Sequence, residues 1–185
     1  MRWCVVVAIV VLPLFTGAVP SAGAADTGTA APAPAKPAPK PGEWQVLVGG
    51  ARVDGKRSIS AVLSADAPIP GSFGPVTPQL VLRYRGGQPA AYVGFGTYVG
   101  EGELDAEVTF GEQPAERQKW TIAEDGQSAF VAGETFDFFE RLKKVPKLSV
   151  RISRPRKEPV TVTFTLRETE AVLKALISTG VKYGG

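Results

Sequence analysis

The chain has no histidine, and its single cysteine, Cys4, stands at the very start. Without imidazole there is no Ser-His-Asp or Cys-His catalysis and no histidine-ligated haem. A lone cysteine forms neither an intramolecular disulfide nor a cysteine-built zinc site. Long apolar runs are scarce as well. Residues 5–14 make a short one, interrupted by Pro13, about half the length of the roughly twenty residues that a membrane-spanning helix needs.

What is present begins with that short run. Arg2 precedes it and the small residues Ala22-Gly23-Ala24 follow, the layout of a secretory signal peptide cut after Ala24. Residues 1–24 are therefore expected to be removed, leaving a periplasmic or secreted protein with no transmembrane anchor. Residues 25–42 alternate alanine and proline, with Lys36 and Lys40 as the basic groups. That composition favours extended polyproline II and buries nothing, so a flexible tether is expected. Residues 43–185 then form one domain, long enough for a single hydrophobic core.

The net charge of +3 does not read as a nucleic-acid footprint, because Arg2 leaves with the signal peptide and two lysines lie in the tether. Residues 101–140 hold eleven acids against Arg117 and Lys119, whereas residues 141–182 hold eleven bases against three acids. Two blocks of opposite sign predict pairing within the domain. The basic run also lacks interleaved aromatics, which argues against nucleic acid.

The domain reads as short strands of period two. Residues 44–48 open it, and the Asp54-Gly55 pair signals a hairpin into residues 58–63, where Ile59, Ala61 and Leu63 share a face. A Pro/Gly-rich loop spans 66–78. Strands follow at 79–85 and 90–99, joined by Gly86-Gly87, with Tyr92 and Tyr98 on one face of the second. Residues 101–110 alternate acid with apolar, predicting a strand half buried on a core. Short strands are expected at 120–122 and 129–131, then a helix over 134–144. Strands at 147–153 and 160–165 precede a final helix, with Thr165-x-x-Glu168 as its capping box and Gly180 as its end. The fold class is mainly β: an antiparallel β-sandwich or partly open barrel with a short inserted helix and a C-terminal helix.

Several ordered pieces resemble a known family. An opening tryptophan, Trp44, is followed by Asp54-Gly55-Lys56-Arg57 and by Pro78-x-Leu80-x-Leu82-Arg83-Tyr84. A strand around Tyr92, then Trp120, Asp125-Gly126 and Phe130, a Phe-rich helix ending at Leu142, a basic strand from Leu148 to Ile152, and Thr163-Phe164-x-Leu166 complete the series. In this order they resemble the VasI/TagO-like accessory proteins associated with type VI secretion. The resemblance implies a small exported accessory domain without known catalytic residues. Members of that family often carry a cysteine after the strand arginine, where this chain has Tyr84, so the disulfide that the resemblance implies is absent.

No catalytic residue, metal or cofactor is expected. The acidic residues Glu101, Glu103, Asp105 and Glu107 stand about 7 Å apart along one strand face and do not converge on a cation. They are instead expected to lie beside the basic strand 147–151. The candidate interaction surface comprises Lys143, Lys144, Lys147, Arg151, Arg154, Arg156 and Lys157, with Tyr92 and Tyr98. The function expected is a non-catalytic accessory domain that binds another envelope protein, in support of type VI secretion. The alternative is a module for an envelope polymer or small ligand such as peptidoglycan, lipopolysaccharide or a sugar.

Overall fold

The computed structural model describes residues 40–49, 58–154 and 157–183. The signal peptide, most of the tether, the Asp54-Gly55 turn and Arg156 lie outside them. The described chain is mainly β, with eleven strands and two helices. Strands β1 (Trp44–Val48), β2 (Ser58–Ser64), β5 (Gln79–Arg85), β6 (Gln88–Gly94), β7 (Glu103–Phe110), β8 (Glu116–Ile122), β9 (Ser128–Phe130), β10 (Lys147–Arg154) and β11 (Lys157–Thr165) form one antiparallel sheet, in the order β1-β2-β5-β6-β9-β8-β7-β10-β11. Strands β3 (Ile69–Pro70) and β4 (Pro75–Val76) make a separate two-stranded ribbon. Among the described residues no ladder joins β1 to β11, so the sheet is not closed into a barrel.

Alternation explains how the sheet is covered. Ile59, Ala61 and Leu63, then Leu80, Leu82 and Tyr84, then Leu104, Ala106, Val108 and Phe110, then Leu148, Val150 and Ile152 are all buried in one continuous core. Their intervening neighbours face outward, because successive side chains in a strand point to opposite faces. The helices cover that same apolar face. From α1 (Thr135–Lys143), Phe138, Phe139 and Leu142 enter the core, and α2 (Thr169–Tyr183) contributes Leu173 and Leu176 while packing on β1, β2 and β5.

Four expectations are corrected. The strand expected over 90–99 ends at Gly94, because Gly96 takes a positive φ of 64° and turns the chain. Residues 95–102 instead cross over to β7, held to the β8–β9 turn where the N–H groups of Phe95 and Val99 donate to the carbonyls of Gln127 and Gly126, both at 2.8 Å. Tyr98 is therefore on a loop and does not share a strand face with Tyr92. Strand β8 begins at Glu116, four residues earlier than expected, since its polar start Glu-Arg-Gln-Lys shows no apolar alternation. Thr165 caps no helix. It is the last residue of β11, and both its N–H and its hydroxyl donate to the Asp66 carboxylate at 2.9 Å. Gly180 lies inside α2, which continues to Tyr183. A β-carbon at Gly180 would run into the ring of Tyr84, so glycine is needed there for close approach, not termination.

Candidate functional site

The charged residues settle first. Across β7 and β10, Glu107 is directly opposite Arg151, and across β7 and β8 it is opposite Arg117. Its carboxylate lies 3.4 Å from Arg151 and 3.5 Å from Arg117, while Lys119 reaches Glu103 at 3.4 Å. The expected neighbourhood of acidic and basic strands is thus observed, with β8 contributing a second basic row on the other side. Lys147 falls beyond the acids, opposite Thr165. These are exposed pairs on the outer face, so each contributes little to stability. Among the described residues no group of three or more acids is arranged to hold a metal ion.

The expected basic surface is divided among three places. Lys143 pairs with Glu140 on α1, and Lys144 and Lys147 border the turn at Gly111-Glu112-Gln113. Arg151 belongs to the outer charge ladder. Arg154 is buried, and its guanidinium donates to the carbonyls of Glu158 (3.1 Å) and Pro70 (3.1 Å), tying the β3–β4 ribbon to the end of β10. Lys157 is exposed beside it. Tyr92 lies on the outer face, its ring 5.1 Å from Phe130 and 5.9 Å from the Arg83 guanidinium.

At the start of β8 a further arginine is engaged. Arg141 makes a two-pronged contact with Glu116 (2.8 and 2.7 Å) and stacks 3.7 Å above the Phe110 ring, fixing α1 on the sheet. The hydrogen bond from Arg141 holds the Glu116 carboxyl below its ordinary value.

A further surface feature is a groove that the charge pattern does not reveal. Its first wall is the β3–β4 ribbon. Prolines at 68, 70, 75 and 78 stiffen this segment, and the Gly71 N–H donates to the Gly74 carbonyl at 2.9 Å to close the tip. Gly71 has no room for a β-carbon, which would lie 2.6 Å from that carbonyl oxygen. The tip presents Phe73 fully to solvent.

The second wall is the crossover loop. Gly96 lies over Val76, and the Tyr98 ring rests on Gly126, where a β-carbon would be 2.7 Å from the ring. The Tyr98 hydroxyl donates to Glu101 at 3.2 Å. Lost hydration of the phenol, that hydrogen bond and the adjacent carboxylate charge all raise its pKa, so Tyr98 is a neutral, half-exposed aromatic at neutral pH. Asp125 braces the turn beneath by accepting from the Gln127 and Ser128 N–H groups (2.8 and 3.1 Å).

Between the walls is a groove of about 400 Å³, bordered by Phe73, Pro75, Val76, Thr97, Tyr98 and Gln127. Thr97 is 3% exposed, and among the described residues its hydroxyl has no hydrogen-bond partner. Tyr98 is the one ionisable residue lining the groove among the described residues. Aromatic side chains and an apolar floor suit binding. Of the expected site residues only Tyr98 takes part. Phe73 was legible merely as one apolar residue in a Pro/Gly loop.

No protein-family model matches the chain, and no curated protein or solved structure matches it either. The likeness to the secretion-associated family accordingly rests on the ordered motifs alone.

Proposed function

We propose that this chain is a non-catalytic, exported binding domain of the cell envelope, and that the Phe73–Tyr98 groove receives another envelope protein. The fully exposed Phe73 carries this reading. Burying such a side chain is worth about 1.5–3 kcal/mol, which the isolated domain forgoes and a partner would recover. Rigid support matters equally: aromatic anchors bind well when little conformational freedom is lost, and the prolines with the Gly71–Gly74 closure restrain the backbone that carries Phe73 while Gly126 seats the Tyr98 ring. Support of type VI secretion is the role that the motif resemblance suggests for such a partner.

A second reading follows from the two aromatic residues that border the groove, Phe73 and Tyr98. Aromatic side chains that keep a polar tip, as Tyr98 does, suit the apolar faces and hydroxyls of a sugar. Envelope polysaccharide is therefore the alternative ligand.

A photo-crosslinking residue at position 73, in cells carrying the full chain, separates these readings. A discrete protein adduct, absent when the residue is placed at exposed Lys174, is the expected result. Crosslinking no stronger at 73 than at 174, together with pelleting on purified peptidoglycan that Phe73→Ser abolishes, would instead favour the polysaccharide.

A further inference from the structure

The free edge of β1 is unlike the opposite edge of the sheet. In the β1–β2 ladder the Gly49 N–H donates to the Ser58 carbonyl at 2.7 Å, which makes Leu47–Ser60 and Gln45–Val62 the next hydrogen-bonded pairs. The backbone groups of Trp44, Val46 and Val48 consequently point away from β2, where no described strand meets them. Val46 and Val48 are 49% and 59% exposed on the core side, and Leu47 is 46% exposed on the other. The strand carries no charge, proline or bulge. An apolar edge of this kind is a template for another strand.

We propose that β1 pairs antiparallel with β1 of a second copy, about a two-fold axis at Val46. The register is self-complementary. Outward groups at 44, 46 and 48 meet those at 48, 46 and 44, giving about six backbone hydrogen bonds. Trp44 then neighbours the second copy's Val48, and Leu47 its Gln45, with no like charges brought together.

Head-to-tail pairing of β1 on β11 is obstructed. The Thr163 carbonyl already accepts the Asp66 N–H, the Thr165 N–H is taken by the Asp66 carboxylate, and Pro159 has no N–H. Association therefore closes as a symmetric dimer and does not grow into a filament. The preceding chain does not run along the edge at its described start: the Glu43 N–H donates to the Lys40 carbonyl in a turn, and Gly42 sits against Arg167 at the entry to α2. Five paired residues bury less than the ~1,200 Å² of a standard stable interface, so a dissociation constant of roughly 10–100 µM is expected.

The test uses the exported chain, with Cys4→Ser wherever the N-terminus is retained. Sedimentation equilibrium is expected to show a reversible monomer–dimer system. A Gln45→Cys/Leu47→Cys double variant should form a disulfide dimer on oxidation, because these residues face each other across the axis in non-hydrogen-bonded pairs, whose Cβ atoms lie closest, within disulfide reach. Thr161→Cys on β11 should not. Val46→Pro removes an outward N–H that β2 does not use, and should weaken the dimer at least about tenfold. Val46→Lys, a second variant for the same position, should dissociate it at low salt and recover part of it at high salt. A chain that stays monomeric to several hundred micromolar, or a dimer indifferent to both Val46 substitutions, would overturn the proposal. Phe73→Ser should leave the dimer intact, which keeps this interface separate from the groove.

Discussion

The two edges of the nine-stranded sheet are built on opposite principles. Strand β11 ends the sheet with Lys157, Glu158 and Pro159 exposed in sequence, a register shift opposite it between Ile152 and Arg154, and Asp66 fastened to Thr163 and Thr165. Charge, proline, irregular register and a bound loop are the usual means of keeping a strand edge from recruiting another. Among the described residues strand β1 has none of them, although it belongs to the same sheet. Among the described residues the guard stands at the β11 edge alone. This contrast is what the proposed pairing of β1 with a second copy rests on.

Removing the guard should have the largest effect. The Asp66 carboxylate accepts a backbone N–H and a hydroxyl from Thr165, and it links β11 to the loop after β2. Asp66→Ala should cost about 2–3 kcal/mol, since hydrogen bonds to a charged group are worth about 1.5–3 kcal/mol and the Thr165 N–H loses its acceptor. Urea unfolding would measure the loss, and Asp66→Asn, which keeps one acceptor oxygen, should lose less. Equal losses for the two variants would mean that the cap matters little beyond its shape.

The open side depends instead on α2, which packs over β1, β2 and β5. Gly180→Ala drives a methyl group toward the Tyr84 ring and should cost about 1–3 kcal/mol through overpacking. Combining it with Tyr84→Leu should recover part of that loss in the same unfolding assay. No recovery would show that helix position, not the ring contact, sets the tolerance at Gly180.

Charges between the edges should matter least. Glu107 lies between Arg117 and Arg151 on the solvent face. A double-mutant cycle on Glu107→Lys and Arg151→Glu should give a coupling of about 0.2–1 kcal/mol that shrinks with added salt. Strict additivity would reduce the ladder to coincidence. Sequence alone pointed to the acidic strand beside the basic one, but not to Glu107 as the residue shared by two arginines. That required the register, and the register also brought in β8, whose polar start conceals its strand character.

Phe73 and Tyr98 show the same boundary on the candidate site. Tyr98 stood out because an aromatic near a strand end is visible in any window, yet its assignment to the strand face of Tyr92 failed at Gly96, where a positive φ turns the chain. Phe73 carried no sequence signal for exposure, since local composition does not say which apolar residue a fold leaves uncovered. Their groove exists because residues far apart in sequence are brought together by two loops meeting over Val76 and Gly126.

By itself the sequence determined the mainly β class, the buried face of most strands and a helical stretch over 134–144, found at 135–143, because side-chain alternation and helical periodicity are properties of a few consecutive residues. It also determined the chemistry that is out of reach without histidine or a second cysteine. Tertiary structure alone decided the strand order, the Asp66 cap, the use of Gly180 against Tyr84 and which strands stand at the sheet's two edges among the described residues. Each of these joins residues far apart in the chain. Such contacts are selected by how the whole apolar surface is buried together, and no local window carries that information.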